Sequence, residues 1–93
     1  MTLKAWGYFR GDGTLVRGFN VTSVSRTGAG QYTINFTAAM ATTAYVARIL
    51  VQSSVTSVQG LIVPSTASAA QLNFVRTSDG GQFDAAAYFE VYE

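Results

Sequence analysis

The chain contains no cysteine and no histidine among its 93 residues. Without cysteine there can be no disulfide scaffold, and without both residue types the usual zinc ligands and most nucleophile–base pairs are missing. Charged residues make up only 12% of the chain, and the formal net charge is +1. This balance does not indicate binding to nucleic acid or to an anionic membrane. We therefore expect no metal, no cofactor and no nucleic-acid partner.

Long hydrophobic runs are also missing. The most apolar stretch, residues 44–51, is interrupted by Arg48 and is far shorter than the roughly 20 residues that a membrane-spanning helix needs. The first ten residues contain no apolar segment of the kind found in a signal peptide. We expect no membrane insertion. A chain of 93 residues is long enough for one domain, and no linker or internal repeat divides residues 1–93.

Hydrophobic and polar residues alternate with a period of two along most of the chain. Residues 31–37 are the clearest example, because Tyr32, Ile34 and Phe36 fall on one side of an extended strand and polar residues on the other. Glycine-rich turns separate such segments, and no helix longer than one turn is predicted. The predicted strands cover residues 5–10, 15–25, 31–37, 45–52, 60–64, 71–77 and 83–92. About seven short strands predict an all-β fold, an antiparallel β-sandwich.

Particular strands carry more specific expectations. We expect Leu72 and Phe74 to point inward, and likewise Ala85, Ala87, Phe89 and Val91 of the last strand. Leu15, Arg17 and Phe19 share one face of the second predicted strand, and Gly18 marks a bend or bulge within it. The strand over residues 45–52 is apolar on both faces except at Arg48, so it is either central in its sheet or covered by a subunit partner. The low charge of the chain also favours an oligomer.

The acidic residues do not predict catalysis. Asp12 and Asp79 lie in glycine-flanked turns, where aspartate is expected for backbone reasons. Asp84 and Glu90 share one strand face but lie roughly 20 Å apart in an extended chain, too far for a glycosidase pair. We therefore predict that the protein is not an enzyme and assign no catalytic residue.

Three short motifs have ordinary structural explanations. The tripeptide Arg10-Gly11-Asp12 matches an integrin-binding sequence, but a tight hairpin also requires Gly and Asp. Glycosylation sequons begin at Asn20 and Asn35. Both lie inside predicted strands, and we interpret them as outward-facing strand residues.

Aromatic residues make up 13% of the chain, and some of them share strand faces. Trp6, Tyr8 and Arg10 fall on one face of the first predicted strand, and Tyr88 and Tyr92 on one face of the last. Aromatic rings stack on the apolar faces of sugar rings, so these five residues are the candidate ligand-binding residues. Aromatic residues are also common in protein cores and subunit interfaces, so a core or interface role for these residues stays open as an alternative.

The order of strands and turns in residues 5–46 resembles the C-terminal domain found in many bacteriophage tail fibres and related virion proteins. The matching segments are AWGYF (5–9), LVRGFNVTSV (15–24), TGAGQYTINFT (27–37), AM (39–40) and AYV (44–46). The segment AYFEV (87–91) is similar to the last strand of that family. Residues 52–82 match no specific feature of it.

The resemblance implies an antiparallel β-sandwich that forms a homotrimer at the distal end of a fibre or spike. It implies adhesion to a host cell-surface glycan or protein, and it supplies no catalytic motif. Because the sequence begins only a few residues before the matched region, a second hypothesis is a small capsid-decoration or baseplate accessory protein that binds other virion subunits. Either role implies a location in the virion, on a tail fibre or on the capsid surface. A third hypothesis is a monomeric carbohydrate-binding module of a bacterial enzyme.

Overall fold

Eight β-strands make up the fold in a computed structural model, which describes residues 1–52, 58–76, 81 and 84–93. In chain order they are β1 (Leu3–Phe9), β2 (Leu15–Phe19), β3 (Val21–Gly28), β4 (Gln31–Phe36), β5 (Val46–Gln52), β6 (Val58–Thr66), β7 (Ala69–Arg76) and β8 (Ala86–Tyr92). They form two antiparallel sheets: sheet A has the strand order β2-β1-β8-β5, and sheet B has the order β3-β4-β7-β6. The predicted antiparallel β-sandwich is confirmed, with eight strands where about seven were expected. Among the described residues, no helix is long and apolar enough to cross a membrane.

The core lies between the two sheets and is built from every second residue of the strands. The inward-facing residues predicted for β4, β7 and β8 are all buried. The largest fully buried side chains are Tyr32, Phe9, Phe74, Phe89, Ile34, Leu72 and Val91. Each large apolar side chain that leaves water contributes about 1.5–3 kcal/mol, so this cluster is the main stabilising element of the sandwich. Within the described part of the chain, no polar or charged residue is buried.

The prediction of one long strand over residues 15–25 is wrong, because the chain turns a corner at Asn20. This residue has a φ of 58°, in the left-handed region that asparagine tolerates better than most residues. Its side-chain amide donates to the carbonyl oxygens of Lys4 (3.0 Å) and Ala38 (3.1 Å), and its Oδ1 accepts from the Ala38 N–H (2.7 Å). The corner lets β2 pair in sheet A while β3 pairs in sheet B. The bend lies at Asn20 and not at Gly18, and this asparagine is not an outward-facing strand residue.

A bulge in β2 decides which of its side chains face outward. Tyr8 pairs with Arg17, but the next residue of β1, Phe9, pairs with Leu15, so Val16 is an extra residue in β2. Leu15 consequently packs against the core, whereas Arg17 lies beside the outward-facing Tyr8. The prediction that Leu15 and Arg17 share one face is therefore wrong.

The structure also settles the positions of the less regular segments. β5 is an edge strand of sheet A, so the alternative that placed it in the centre of its sheet is wrong. The strand predicted over residues 60–64 is β6, which is longer than expected and lies at the edge of sheet B. Residues 38–43, which connect β4 to β5, contain no helical turn. The glycine-flanked turn predicted at Asp79 lies mostly outside the described residues.

Candidate functional site

The side chains of sheet A that point away from the core form a largely aromatic surface, which we call the outer face of sheet A. The register of the strands brings these side chains together in rows across the sheet. The surface consists of Leu3, Trp6, Tyr8, Arg17, Phe19, Val46, Arg48, Leu50, Tyr88, Glu90 and Tyr92. Phe19 and Tyr88 are 53% and 44% exposed, which is unusual for large aromatic side chains.

Four of the five predicted ligand-binding residues lie on this face. Trp6 and Tyr8 belong to β1, Tyr88 and Tyr92 belong to β8, and the two strands are neighbours in sheet A. Tyr8 and Tyr88 pair directly, and their rings stack with 4.5 Å between centroids and an interplanar angle of 25°. Such cross-strand aromatic pairs stabilise a sheet and hold each other's rings in place.

The fifth predicted residue, Arg10, lies beyond the end of the strand. β1 ends at Phe9, and Arg10 begins the turn to β2, where its N–H donates to the carbonyl oxygen of Thr14 at 2.9 Å. Its carbonyl oxygen accepts from the Gly13 N–H, also at 2.9 Å. The prediction that Arg10 continues the strand face of Trp6 and Tyr8 is therefore wrong, because the chain leaves the sheet before it.

Two charged residues that sequence reasoning did not select complete the site. Glu90 of β8 pairs in register with Trp6 on one side and with Arg48 of β5 on the other. Arg48 Nε lies 3.1 Å from Glu90 Oε1, and the two side chains are 73% and 41% exposed. The signal in the sequence was an arginine that interrupts an apolar strand, but nothing local shows that β5 lies next to β8.

These residues surround a shallow groove on the outer face of sheet A, which we call the aromatic groove. Its walls are Trp6, Arg48, Leu50, Tyr88 and Glu90, and its volume is about 360 Å³. Gly7, Ile49 and Phe89 also line it, although the side chains of Ile49 and Phe89 belong to the inner face of the sheet. The groove combines aromatic walls with a charged pair, which is the usual composition of a site for a small polar ligand.

A second polar cluster, around Asp84, ties loops together at one end of the sandwich. The Asp84 carboxylate accepts from the Gly30 N–H (2.7 Å) and forms an ion pair with Arg26 (2.9 Å). The Tyr32 hydroxyl lies 3.1 Å from Asp84 Oδ1 and 2.5 Å from the carbonyl oxygen of Gly11. These contacts join the β1–β2 turn, the β3–β4 turn and the segment before β8. We interpret the cluster as a structural clip.

The environment of this clip shifts the pKa values of Asp84 and Tyr32 in opposite directions. The hydrogen bond from Arg26 lowers the pKa of Asp84, with smaller contributions from the Gly30 N–H and the Tyr32 hydroxyl. Burial, and after it the negative charge of Asp84, raises the pKa of Tyr32 to about 12. At neutral pH the carboxylate is therefore ionised and the phenol is neutral, which is the combination that these hydrogen bonds require.

The outer face of sheet B has a different chemistry. Gln31 pairs in register with Asn73, and Thr33 pairs with Gln71, so amides and hydroxyls lie side by side. A small groove of about 200 Å³ runs between them. No group of three metal-ligating side chains occurs in the described part of the chain. The two faces of the sandwich therefore differ. That of sheet A is aromatic with paired charges, whereas that of sheet B combines neutral polar groups with the exposed aliphatic residues Leu61 and Val63.

The chain matches no protein-family model, and searches among curated proteins and among solved structures gave no match. The resemblance to tail-fibre domains accordingly depends on the sequence segments between residues 5 and 46 and on residues 87–91. In the structure, these segments contain β1 to β4 and most of β8.

Proposed function

We propose that the chain is an adhesion module of a bacteriophage virion, a tail-fibre or receptor-binding tip that binds a glycan or protein on the host cell surface. The observation that carries this proposal is the outer face of sheet A. Aromatic side chains on two neighbouring strands stay accessible there, beside exposed aliphatic residues of the same sheet such as Leu50. Contiguous exposed apolar surface of this kind is typical of interaction sites. The sequence resemblance supplies the virion context.

The contacts of the carboxylates favour binding over catalysis. Asp84 belongs to the structural clip, and Asp12 Oδ1 accepts from the Thr14 N–H at 2.9 Å within its turn. The Glu93 carboxylate accepts from the N–H groups of Ala41 and Thr42, each at 3.0 Å. Glu90 is the acidic residue of the outer face, and it is paired with Arg48. The four described acids therefore each have a partner that explains their position.

We also propose that the module is a homotrimer. Large apolar side chains are exposed on both faces of the sandwich, including Leu61 and Val63 of β6, which are 47% and 52% exposed. A chain with only 12% charged residues gains solubility if copies cover part of that surface. The number three comes from the resemblance to fibre domains, which are usually homotrimeric.

Adhesion can be tested with the labelled chain and a panel of bacterial cells, lipopolysaccharides and capsular polysaccharides. We expect saturable binding to some of these surfaces. The double substitution Trp6→Ala and Tyr88→Ala should weaken it at least tenfold. The matched control is Gln31→Ala with Asn73→Ala on the outer face of sheet B, which should bind like the unaltered chain. Absence of binding to every bacterial surface would overturn the adhesion role.

The second candidate function is capsid decoration or a baseplate accessory role. It is favoured by the aliphatic part of the same face, where Leu3, Val46 and Leu50 are exposed, Leu50 by 68%. A flat aliphatic surface suits another protein better than a sugar. This role predicts that the chain sediments with assembled virus particles and does not bind host cells.

A further inference from the structure

We propose that the aromatic groove is a subsite for one neutral pyranose ring, held by stacking on its aromatic walls and by hydrogen bonds in which its hydroxyl groups accept from Arg48 and donate to Glu90. This inference rests on the proposed adhesion function and names the class of ligand that the face takes. The volume of about 360 Å³ lies at the lower end of ligand sites, which suits a ring-sized group better than an extended chain.

The aromatic walls are positioned before any ligand binds. Tyr88 is held by its stack with Tyr8, whose ring centroid is 4.5 Å away. Trp6 pairs in register with Glu90, so the indole and the carboxylate occupy adjacent positions of the same row. A pyranose has an apolar face of C–H groups and a rim of hydroxyls. It can therefore contact a ring and a charged pair at once, with little ordering of the protein.

The ion pair retains most of its capacity for hydrogen bonds. A guanidinium has five N–H donors, and a carboxylate has about four acceptor positions. The contact between Arg48 and Glu90 joins Nε to Oε1 at 3.1 Å and leaves both side chains accessible. Neither makes another ion pair with the part of the chain that the structure describes. Neighbouring hydroxyls of a sugar could donate to the carboxylate and accept from the guanidinium, which matches both groups.

The charges of the groove favour an uncharged sugar. Arg48 and Glu90 balance each other, so the groove has no net charge. The carboxylate of a uronic acid would compete with Glu90 for Arg48, and the ammonium of an amino sugar would compete with Arg48 for Glu90, so either would have to break the pair. Arg17 belongs to the same face but is not among the residues that line the groove. It therefore provides a control for the removal of a surface charge.

The chain offers a direct spectroscopic probe, because Trp6 is its only tryptophan. The full chain would be titrated with the methyl α-pyranosides of glucose, galactose and mannose, and with glucuronate and glucosamine as charged comparators. We expect a saturable change in Trp6 fluorescence with at least one neutral glycoside and none with the charged sugars. Glu90→Gln and Arg48→Gln should each raise the Kd about tenfold, whereas Arg17→Gln should not change it.

The outcomes separate this inference from the adhesion function. Binding to bacterial polysaccharide without any response of Trp6, or binding that Glu90→Gln and Arg48→Gln leave intact, would overturn the groove assignment while adhesion stands. A change in Trp6 fluorescence only with glucuronate or glucosamine would overturn the claim that the groove binds an uncharged sugar. Saturable glycoside binding without binding to any cell or polysaccharide would support the groove and overturn the adhesion role. Far-UV circular dichroism of each variant checks that the fold is intact.

Discussion

Gly7 of β1 and Phe89 of β8 are direct partners in sheet A, and the phenyl ring occupies the space that a side chain at Gly7 would need. A Cβ at Gly7 would lie 2.6 Å from Phe89 Cζ and 2.8 Å from Cε1. Phe89 is 1% exposed and packs against Phe9 with 6.1 Å between ring centroids. Because the ring is buried in the core, a side chain at position 7 would have to displace it, so the close approach of β1 to the core favours glycine.

We expect Gly7→Ala to lower the free energy of unfolding by about 1–3 kcal/mol, because the added methyl group overpacks the core. Urea denaturation measures the change. The control is Gly11→Ala, where the nearest atom to a Cβ is 3.6 Å away and the change should stay within about 0.5 kcal/mol. Equal stabilities of the two variants would show that Phe89 can move aside.

The corner at Asn20 should depend on both its side chain and its backbone conformation. Asn20→Ala removes the three hydrogen bonds to Lys4 and Ala38 and keeps an unfavourable positive φ, so we expect a loss of about 2 kcal/mol or more. Asn20→Gly removes the same bonds but tolerates the φ. It should be about 1 kcal/mol more stable than the alanine variant. Thermal or urea unfolding of both variants gives the comparison. If the glycine variant were as unstable as the alanine variant, the positive φ at position 20 would not contribute to the loss of stability.

The Asp84 clip should make stability depend on acidic pH. The folded pKa of Asp84 is lowered from its ordinary value of 3.8, chiefly by the hydrogen bond from Arg26. Its contribution is therefore present above about pH 4 and is lost as pH falls toward the folded pKa. Asp84→Asn should lower the free energy of unfolding by about 1–2 kcal/mol at pH 7 and by much less at pH 2. This is a modest effect because the pair of Arg26 and Asp84 is partly exposed to water.

Urea unfolding at pH 7 and pH 2 measures this difference. Asp12→Asn is the matched control, because an asparagine oxygen can still accept from the Thr14 N–H. That variant should unfold at nearly the same urea concentration as the unaltered chain. If Asp84→Asn lowered the stability equally at both pH values, the Asp84 carboxylate would not be stabilising the fold through its charge.

The buried phenol of Tyr32 should produce the opposite dependence at alkaline pH. Because burial raises its folded pKa from 10.0 to about 12, the neutral form stabilises the fold below pH 10, and this contribution is lost between pH 10 and 12. Tyr32→Phe should remove this part of the alkaline loss and cost about 1–2 kcal/mol at pH 7, since the hydroxyl bonds to Gly11 and Asp84 disappear. Tyr8→Phe, on the partly exposed outer face, controls for the loss of a hydroxyl. An unchanged alkaline profile of Tyr32→Phe would contradict the assignment.

The oligomeric state can be read from the mass in solution. For a homotrimer, size-exclusion chromatography with light scattering should give three times 9.9 kDa, and the urea midpoint should rise with protein concentration. A mass of 9.9 kDa with a midpoint independent of concentration would contradict the trimer. It would favour the hypothesis of a monomeric carbohydrate-binding module.

Much of the fold was predictable because its information is local. Side chains alternate across a strand, so Tyr32, Ile34 and Phe36 had to share one face whatever sheet they joined. The last strand was predictable for the same reason, since Ala87, Phe89 and Val91 alternate with polar or amphipathic residues. The bend was expected at Gly18 and lies at Asn20, because the contacts that hold Asn20 at its positive φ come from Lys4 and Ala38, which are distant in the sequence.

The candidate site depends on which strands are neighbours in the sheet, and this could not be predicted from the sequence of any one strand. Alternation and turn residues act over a few positions, so the amino-acid pattern was enough to predict the all-β class, the buried faces and the aromatic character of β1 and β8. The position of β8 between β1 and β5, which places Glu90 beside both Trp6 and Arg48, is seen only in the folded chain. Strand neighbours are fixed by backbone hydrogen bonds and core packing between segments far apart in the chain, and the alternation within one strand does not specify its partner.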